Sequence, residues 1–545
     1  MPKILNSKFY ILIAILIIAA FLRLYNITET PPGLYPDEAI YANNGVEAWE
    51  TGPPAGGLKV FYPENNGREG LWPNIIGFFI VRFGHEPWVP RSIAAIFGIL
   101  TVLGVYFLAR ELFRNYELGI RNQGNKILNH NSLFIIHDSE KIALLSSFFL
   151  AVSFWHINFS RIGFRAIMAP FFLVWGIYFL LKSLNANRYT LYAIVGGILY
   201  GLGFHTYIAY RATPLLILII FILYRRIIKS VQLTAPLAAV KKKFFSIIIL
   251  FSISAMVAIA PLGIYFLENP QDFFGRTTQI SIFNSPAPVK DLAINILKTA
   301  GMFNVVGDFN WRHNYSGRPE LFWPVGILFL IGVFLAVKTS IQNSKFKIQN
   351  DNLSVQSTAP VEINTEIPTS VPLILIFWLV VAVLPVVISN EGQPHALRAI
   401  LMAPPVFILA GIGGIWLYEK VSSIKYQVSS VIIHTSLFII LSLLIFEAYT
   451  TYFILWGNNQ NVQGAFAADY AQIGRELRKL PNELPKYVIV EANGVDVRGI
   501  PMPAQTVMFL TDTFTPEKQK EKNLYYILPN QIGQIPQNGY TVIIK

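Results

Sequence analysis

Long apolar runs recur along most of this 545-residue chain, and they limit its fold more than any motif does. A helix of about 20 apolar residues spans the hydrocarbon of a bilayer, and within lipid only helices and closed barrels satisfy their own backbone groups. The fold class expected is therefore an all-α polytopic membrane protein. Composition agrees: 53% of residues are hydrophobic and 14% charged, whereas soluble domains carry about 25% charged residues. About eleven spans are predicted, at 4–22, 90–110, 142–158, 165–184, 189–207, 212–229, 244–267, 321–338, 371–389, 397–418 and 430–456. Lys3 and Lys8 precede the first run, and Phe21, Leu22 and Arg23 close it where a cleaved leader would have small residues. It is read as a retained first helix.

Charge sets the orientation. With the N-terminus inside, Arg114, Arg121 and Lys126, then Arg225, Arg226 and Lys241–Lys243, then Lys338, Lys345 and Lys347, all fall in inside loops or at the inner ends of spans. This bias accounts for the net charge of +12 without a nucleic-acid partner. The polar segment 339–370 is read as a cytoplasmic linker. No cysteine is present, which excludes disulfides and thiolate metal sites.

The outer loops are of another kind. The first, 23–89, holds "LWPNIIGFFIVRFG", too short to span comfortably and expected to lie in the interface. The second large one is 268–320. The membrane body thus covers 1–456. After about residue 457 the membrane composition is lost, and "KYVIVEA", "LYYILP" and "YTVII" read as strands beside helices at 466–480 and 503–512. This predicts a small outer α/β domain over 457–545, to which no chemistry is assigned because it has no phosphate-cradling glycine motif.

Candidate chemistry gathers on the outer side. "YPDEA" places Asp37 and Glu38 together at an expected helix start, with Asp37 as N-cap. "NNGREGLW" adds Arg68 and Glu69, "HINFSRIGFRA" adds His156, Arg161 and Arg165, and "GLGFHTYIAYRATP" adds His205, Tyr207 and Arg211. Asp308, Arg312 and His313 end the second loop, and "SNEGQPHALRA" supplies Glu391, His395 and Arg398. Taken singly, such groups are more often solvated, lipid-binding or structural. Together, carboxylates and guanidinium groups at one membrane face suit a substrate with a lipid tail and a phosphate. A carboxylate can take a proton from a hydroxyl acceptor, and guanidinium forks can hold a departing phosphate.

The segments "LRLYNITETPPGLYPDEA", "GREGLW", "VPRSIAAIFGILTVLGVYFLAREL", "SFWHINFSRIGFRAIMAPFFL", "GLGFHTYIAYRATPLL" and "PHALRAILMAPPVFILAGIGGIWL" follow in this order over residues 8–420. In them the chain resembles the GT-C superfamily of membrane glycosyltransferases, nearest the family-39 type, which includes protein O-mannosyltransferases and the lipid A aminoarabinose transferase. The resemblance implies a helical membrane body with interfacial helices in its first outer loop. It implies transfer of a sugar from a polyprenyl-phosphate donor to a hydroxyl acceptor, with inversion, at the outer face of the cytoplasmic membrane. It makes Asp37 the base and Glu38 its partner. Arg68 stands near the lipid phosphate; Glu69, Arg161, Arg165, His205, Tyr207, Arg211, His395 and Arg398 are further substrate or phosphate contacts. No cofactor or metal is expected. No β-trefoil insertion and no "WWDYG" motif occur, so neither protein mannosylation nor en bloc transfer to asparagine is implied. The competing readings are a transporter or flippase, whose ionisable groups belong near mid-bilayer, and a polysaccharide polymerase or ligase of another class.

Overall fold

The computed structural model describes residues 7–52, 57–122, 139–230, 237–354, 370–423 and 430–545. Among the described residues, eight helices are long and apolar enough to cross a membrane, and one bent pair passes the same test when its two helices are taken together. The eleven expected stretches are helical, but two fall short of a full crossing: Tyr189–Leu202 has 14 residues, and the segment Val371–Val387 is also short. The first helix, α1 (Ser7–Leu24), shows how such a span is used. Leu12, Ile15, Ala19 and Leu22 recur at helical spacing and are buried, while Phe9, Ile13, Ile17 and Phe21 are exposed. A helix apolar on all sides, with one face packed on protein, presents the other to lipid.

Five helices follow in order: α2 (Pro36–Glu50), α3 (Leu71–Phe83), α4 (Trp88–Asn122), α5 (Ser139–Ala151) and α6 (Phe154–Arg161). The single span expected at 142–158 is broken here, with a bend of 59° between α5 and α6. Ser153 starts the new helix, its hydroxyl accepting the His156 N–H at 3.5 Å. Broken helices leave carbonyls unpaired, which apolar surroundings do not tolerate. Arg23, at the end of α1, meets them: its guanidinium donates to the carbonyls of Leu150 (3.2 Å) and Ala151 (2.9 Å) and bonds to His156 Nδ1 at 2.8 Å.

α3 occupies the segment expected at the interface; Trp72, Ile76 and Ile80 are buried and Phe79 and Phe83 exposed. α2 packs on it so closely that a Cβ on Gly45 would lie 2.2 Å from the Pro73 carbonyl oxygen. The helix begun at Trp323 continues to Ser354, into the polar segment 339–370; positions 355–369 of that segment lie outside the described residues.

Beyond residue 457 the chain changes character. Strands Lys486–Val490, Leu524–Ile527 and Tyr540–Ile544 form a parallel sheet with Lys486–Val490 in the centre. Helices Ala468–Lys479 and Gln505–Thr511 accompany it, and Val488, Val490, Val507, Met508 and Leu524 form an apolar core of its own. This unit is clamped onto α2. Arg498 pairs with both oxygens of Glu47 at 2.7 Å, Asn43 donates to Gln505 at 3.0 Å, and Thr506 donates to the Leu34 carbonyl at 2.8 Å.

Candidate active site

α2 begins two residues earlier than the sequence suggested. Tyr35 is the N-cap, Pro36 takes the first helical position that its fixed φ favours, and Asp37 and Glu38 follow within the first turn. Neighbouring helical residues point in different directions. Asp37 faces a cavity of about 610 Å³ and accepts a hydrogen bond from Asn65 Nδ2 at 2.8 Å. Glu38 turns into the protein and is fully buried. It accepts from the backbone N–H groups of Gly163 (2.9 Å) and Tyr35 (3.3 Å) and pairs with Arg91 at 3.1 Å.

Asn65 owes its position to a hairpin. Phe61–Tyr62 pairs antiparallel with Arg68–Glu69, and Asn65, Asn66 and Gly67 between them all have positive φ, at 49°, 64° and 79°. Asparagine and glycine tolerate that region best. The same hairpin carries Arg68 and Glu69 into the cavity wall. Arg68 donates to Asn44 Oδ1 at 2.8 Å and lies over the Tyr41 ring. Its Nε and Nη1 are buried and have no acceptor among the described residues. Glu69 draws two more guanidinium groups to this wall: it is ion-paired with Arg165 and lies 3.8 Å from Arg211. Tyr207, His395 and Arg398 also line the cavity, the last paired with Glu391 at 2.6 Å.

Three expected site residues lie outside this lining: Glu38, Arg161 and His205. The reason is the same for each, a buried polar group consumed by the scaffold. Arg161 donates to the carbonyls of Leu22 (3.2 Å) and Thr30 (2.7 Å) and stacks over Phe453 at 4.7 Å. Arg91 secures the rest of this loop through the carbonyls of Pro31 and Gly33, both at 2.8 Å. His205 Nε2 is bonded to the Ala258 carbonyl at 2.8 Å. Arg91 was legible only as an arginine at a span end, which usually snorkels.

Three further places contribute to the wall, and the candidates of the second outer loop are among them. Arg312 lies over the Tyr35 ring at 4.0 Å. Burial and the nearby Asp37 charge raise the Tyr35 phenol, which keeps it a neutral donor. Asp308, His313 and His395 meet on the cavity wall, with His313 Nδ1 at 2.9 Å from Asp308 Oδ2 and the two imidazole rings 4.8 Å apart. Asn493, Gly494, Met502 and Pro503, from the α/β unit, close another side. No sequence pattern marks these four; only docking of that unit onto α2 brings them there.

Behind Asp308, Glu320 accepts the Asp308 N–H at 3.0 Å, and its second oxygen has no partner among the described residues. Burial pushes its carboxyl well above the usual range. A raised folded-state value means stability that is complete below the unfolded carboxylate range, about pH 4.3, and is lost as pH rises toward the folded value. Glu320→Gln removes that ionisation. It is expected to unfold at a higher temperature than the parent at neutral pH, with the gap closing on acidification. Thermal unfolding in detergent across a pH series checks this; a gap that widens toward acid would contradict it.

No protein-family model and no characterised protein sequence matches the chain. Solved structures do. The chain is similar to the oligosaccharyltransferase of Archaeoglobus fulgidus, with a TM-score of 0.50 and 14% identity over 92% of this chain, and it spans 61% of that protein's length. It is also similar to ArnT of Cupriavidus metallidurans in the apo state, with a TM-score of 0.50 and 12% identity, over 92% of this chain and 84% of that one. At these identities the likeness shows the fold. The chain has the GT-C membrane fold that the sequence resemblance implied, and a small α/β unit follows its membrane body.

Proposed function

We propose that this chain is an inverting glycosyltransferase that moves a sugar from a polyprenyl-phosphate donor to a hydroxyl acceptor at the outer face of the cytoplasmic membrane. One observation carries the reading: Asp37 shares its cavity with a guanidinium cluster whose buried member, Arg68, has two N–H groups without an acceptor among the described residues. An unsatisfied buried donor costs about 1–3 kcal/mol, a cost that a phosphate oxygen lying there offsets.

In the proposed reaction the acceptor hydroxyl gives its proton to the Asp37 carboxylate. The acceptor oxygen bonds to the sugar's anomeric carbon from the side opposite the phosphate. The bond from that carbon to the phosphate oxygen breaks, and its electron pair leaves with the lipid phosphate. Displacement in one step inverts the anomeric centre. Arg68, Arg165 and Arg211 meet the charge that grows on the phosphate. Glu69 holds the latter two at the wall. A flippase would need no carboxylate facing an anion site at this depth, and its product would keep the lipid–sugar bond.

The test is mass spectrometry of lipid-linked sugars in cells lacking the protein, together with transfer by the purified chain from the lipid that accumulates. Release of free polyprenyl phosphate with a glycosylated acceptor is expected; a lipid that changes membrane face with its sugar attached would overturn the reading. Arg68→Gln is expected to weaken donor use by roughly 10–100-fold, from the loss of charge-assisted hydrogen bonds worth about 1.5–3 kcal/mol. Kinetics at varied donor concentration check this, and an unchanged kcat/KM would remove Arg68 from the phosphate site.

A further inference from the structure

We infer that Asp308, His313 and His395 form a binding site for a divalent transition-metal ion of the zinc class, on the wall of the cavity and without Asp37 as a ligand. Each residue offers one ligand atom, and the three atoms lie within 4.8 Å of one another. Ions at about 2.0–2.2 Å from nitrogen and carboxylate oxygen bring tetrahedral ligands to about 3.3–3.5 Å apart. One pair, His313 Nδ1 and Asp308 Oδ2, is already at 2.9 Å. His395 is only half-buried and faces the same cavity.

Two imidazoles and one carboxylate select the ion. Nitrogen donors favour zinc and its neighbours over magnesium and calcium, which prefer oxygen alone. The site is also held from behind. Asp308 and His313 are both buried; Asp308 Oδ1 accepts the Asn310 N–H at 2.8 Å, and Oδ2 accepts the Ala396 N–H at 2.8 Å. That last bond ties the loop bearing Asp308 to the one bearing His395, two segments far apart in sequence.

The inference extends beyond the transfer reaction and does not depend on it. The purified full chain, stripped with chelator, is titrated with Zn2+ by calorimetry and with Co2+ by visible absorption. One equivalent of each is expected, with ligand-field bands from mixed nitrogen and oxygen ligation. His395→Gln is expected to weaken binding on the order of 100-fold or more, the upper end of what even outer-shell changes produce. Glu391→Gln, at an exposed neighbouring carboxylate paired with Arg398, is expected to bind as the parent does. Equal binding by parent and His395→Gln, no Co2+ bands in the parent, or loss in Glu391→Gln instead would each overturn the assignment. The parent titration stands even if a variant fails to fold. Failure of sugar transfer with metal binding intact would count against the proposed function alone.

Discussion

Asp37→Asn is expected to lower the rate of sugar transfer by about 10²–10⁴-fold, the range associated with loss of a general base, while donor affinity changes little. The substitution is nearly isosteric. Asparagine's amide oxygen can still accept from Asn65 Nδ2, which now bonds Asp37 at 2.8 Å, so the hairpin and its Arg68 keep their place. Only the ability to take the acceptor's proton is lost. Transfer by the folded variant, measured as kcat with the lipid-linked donor at saturation, decides the matter. Activity near the parent's would show that some other group accepts the proton.

Glu38, the adjacent carboxylate, is expected to fail in a different way. Glu38→Ala leaves the Arg91 guanidinium in a fully buried position without its counter-charge, and the Gly163 N–H without its acceptor. Removing one partner of a buried ion pair typically costs about 3–5 kcal/mol. The expected result is a large fall in thermal stability in detergent, with the folded fraction retaining turnover. Replacing both partners, as Glu38→Leu with Arg91→Met, is expected to recover much of the loss, because an apolar pair of similar volume avoids desolvating two charges. Parent-like stability in Glu38→Ala would show that the pair is not holding the loop. Asp37→Asn and Glu38→Ala thus separate two neighbours by readout, one through rate and the other through stability.

Both carboxylates were visible in "YPDEA", and the resemblance already set Asp37 as base apart from Glu38 as partner, but the direction in which each points was not legible there. Sequence places them on one turn of helix; which way each points depends on what α2 packs against. The same limit applies to the arginines. Arg68, Arg165 and Arg211 line the cavity, whereas Arg91 and Arg161 are spent on loop carbonyls, and nothing in their local sequence separates the two groups. The hairpin at Asn65–Gly67 was more legible than the reading made of it, since "NNG" is a turn sequence with a mechanism.

What sequence alone determined are the properties set by neighbours along the chain: the apolar runs that become long helices, the strands and helices after residue 457, and the Asp-Glu pair at a helix start. What only the tertiary structure decided are the meetings between distant segments. The bend between α5 and α6 follows from Arg23 supplying partners for carbonyls some 128 positions away. The Asp308–His313–His395 cluster and the cavity wall built by Asn493–Pro503 likewise exist only where loops converge. A side chain's local propensity is fixed by its own backbone, but its partners, and hence whether a charge is a reagent or a strut, are fixed by packing.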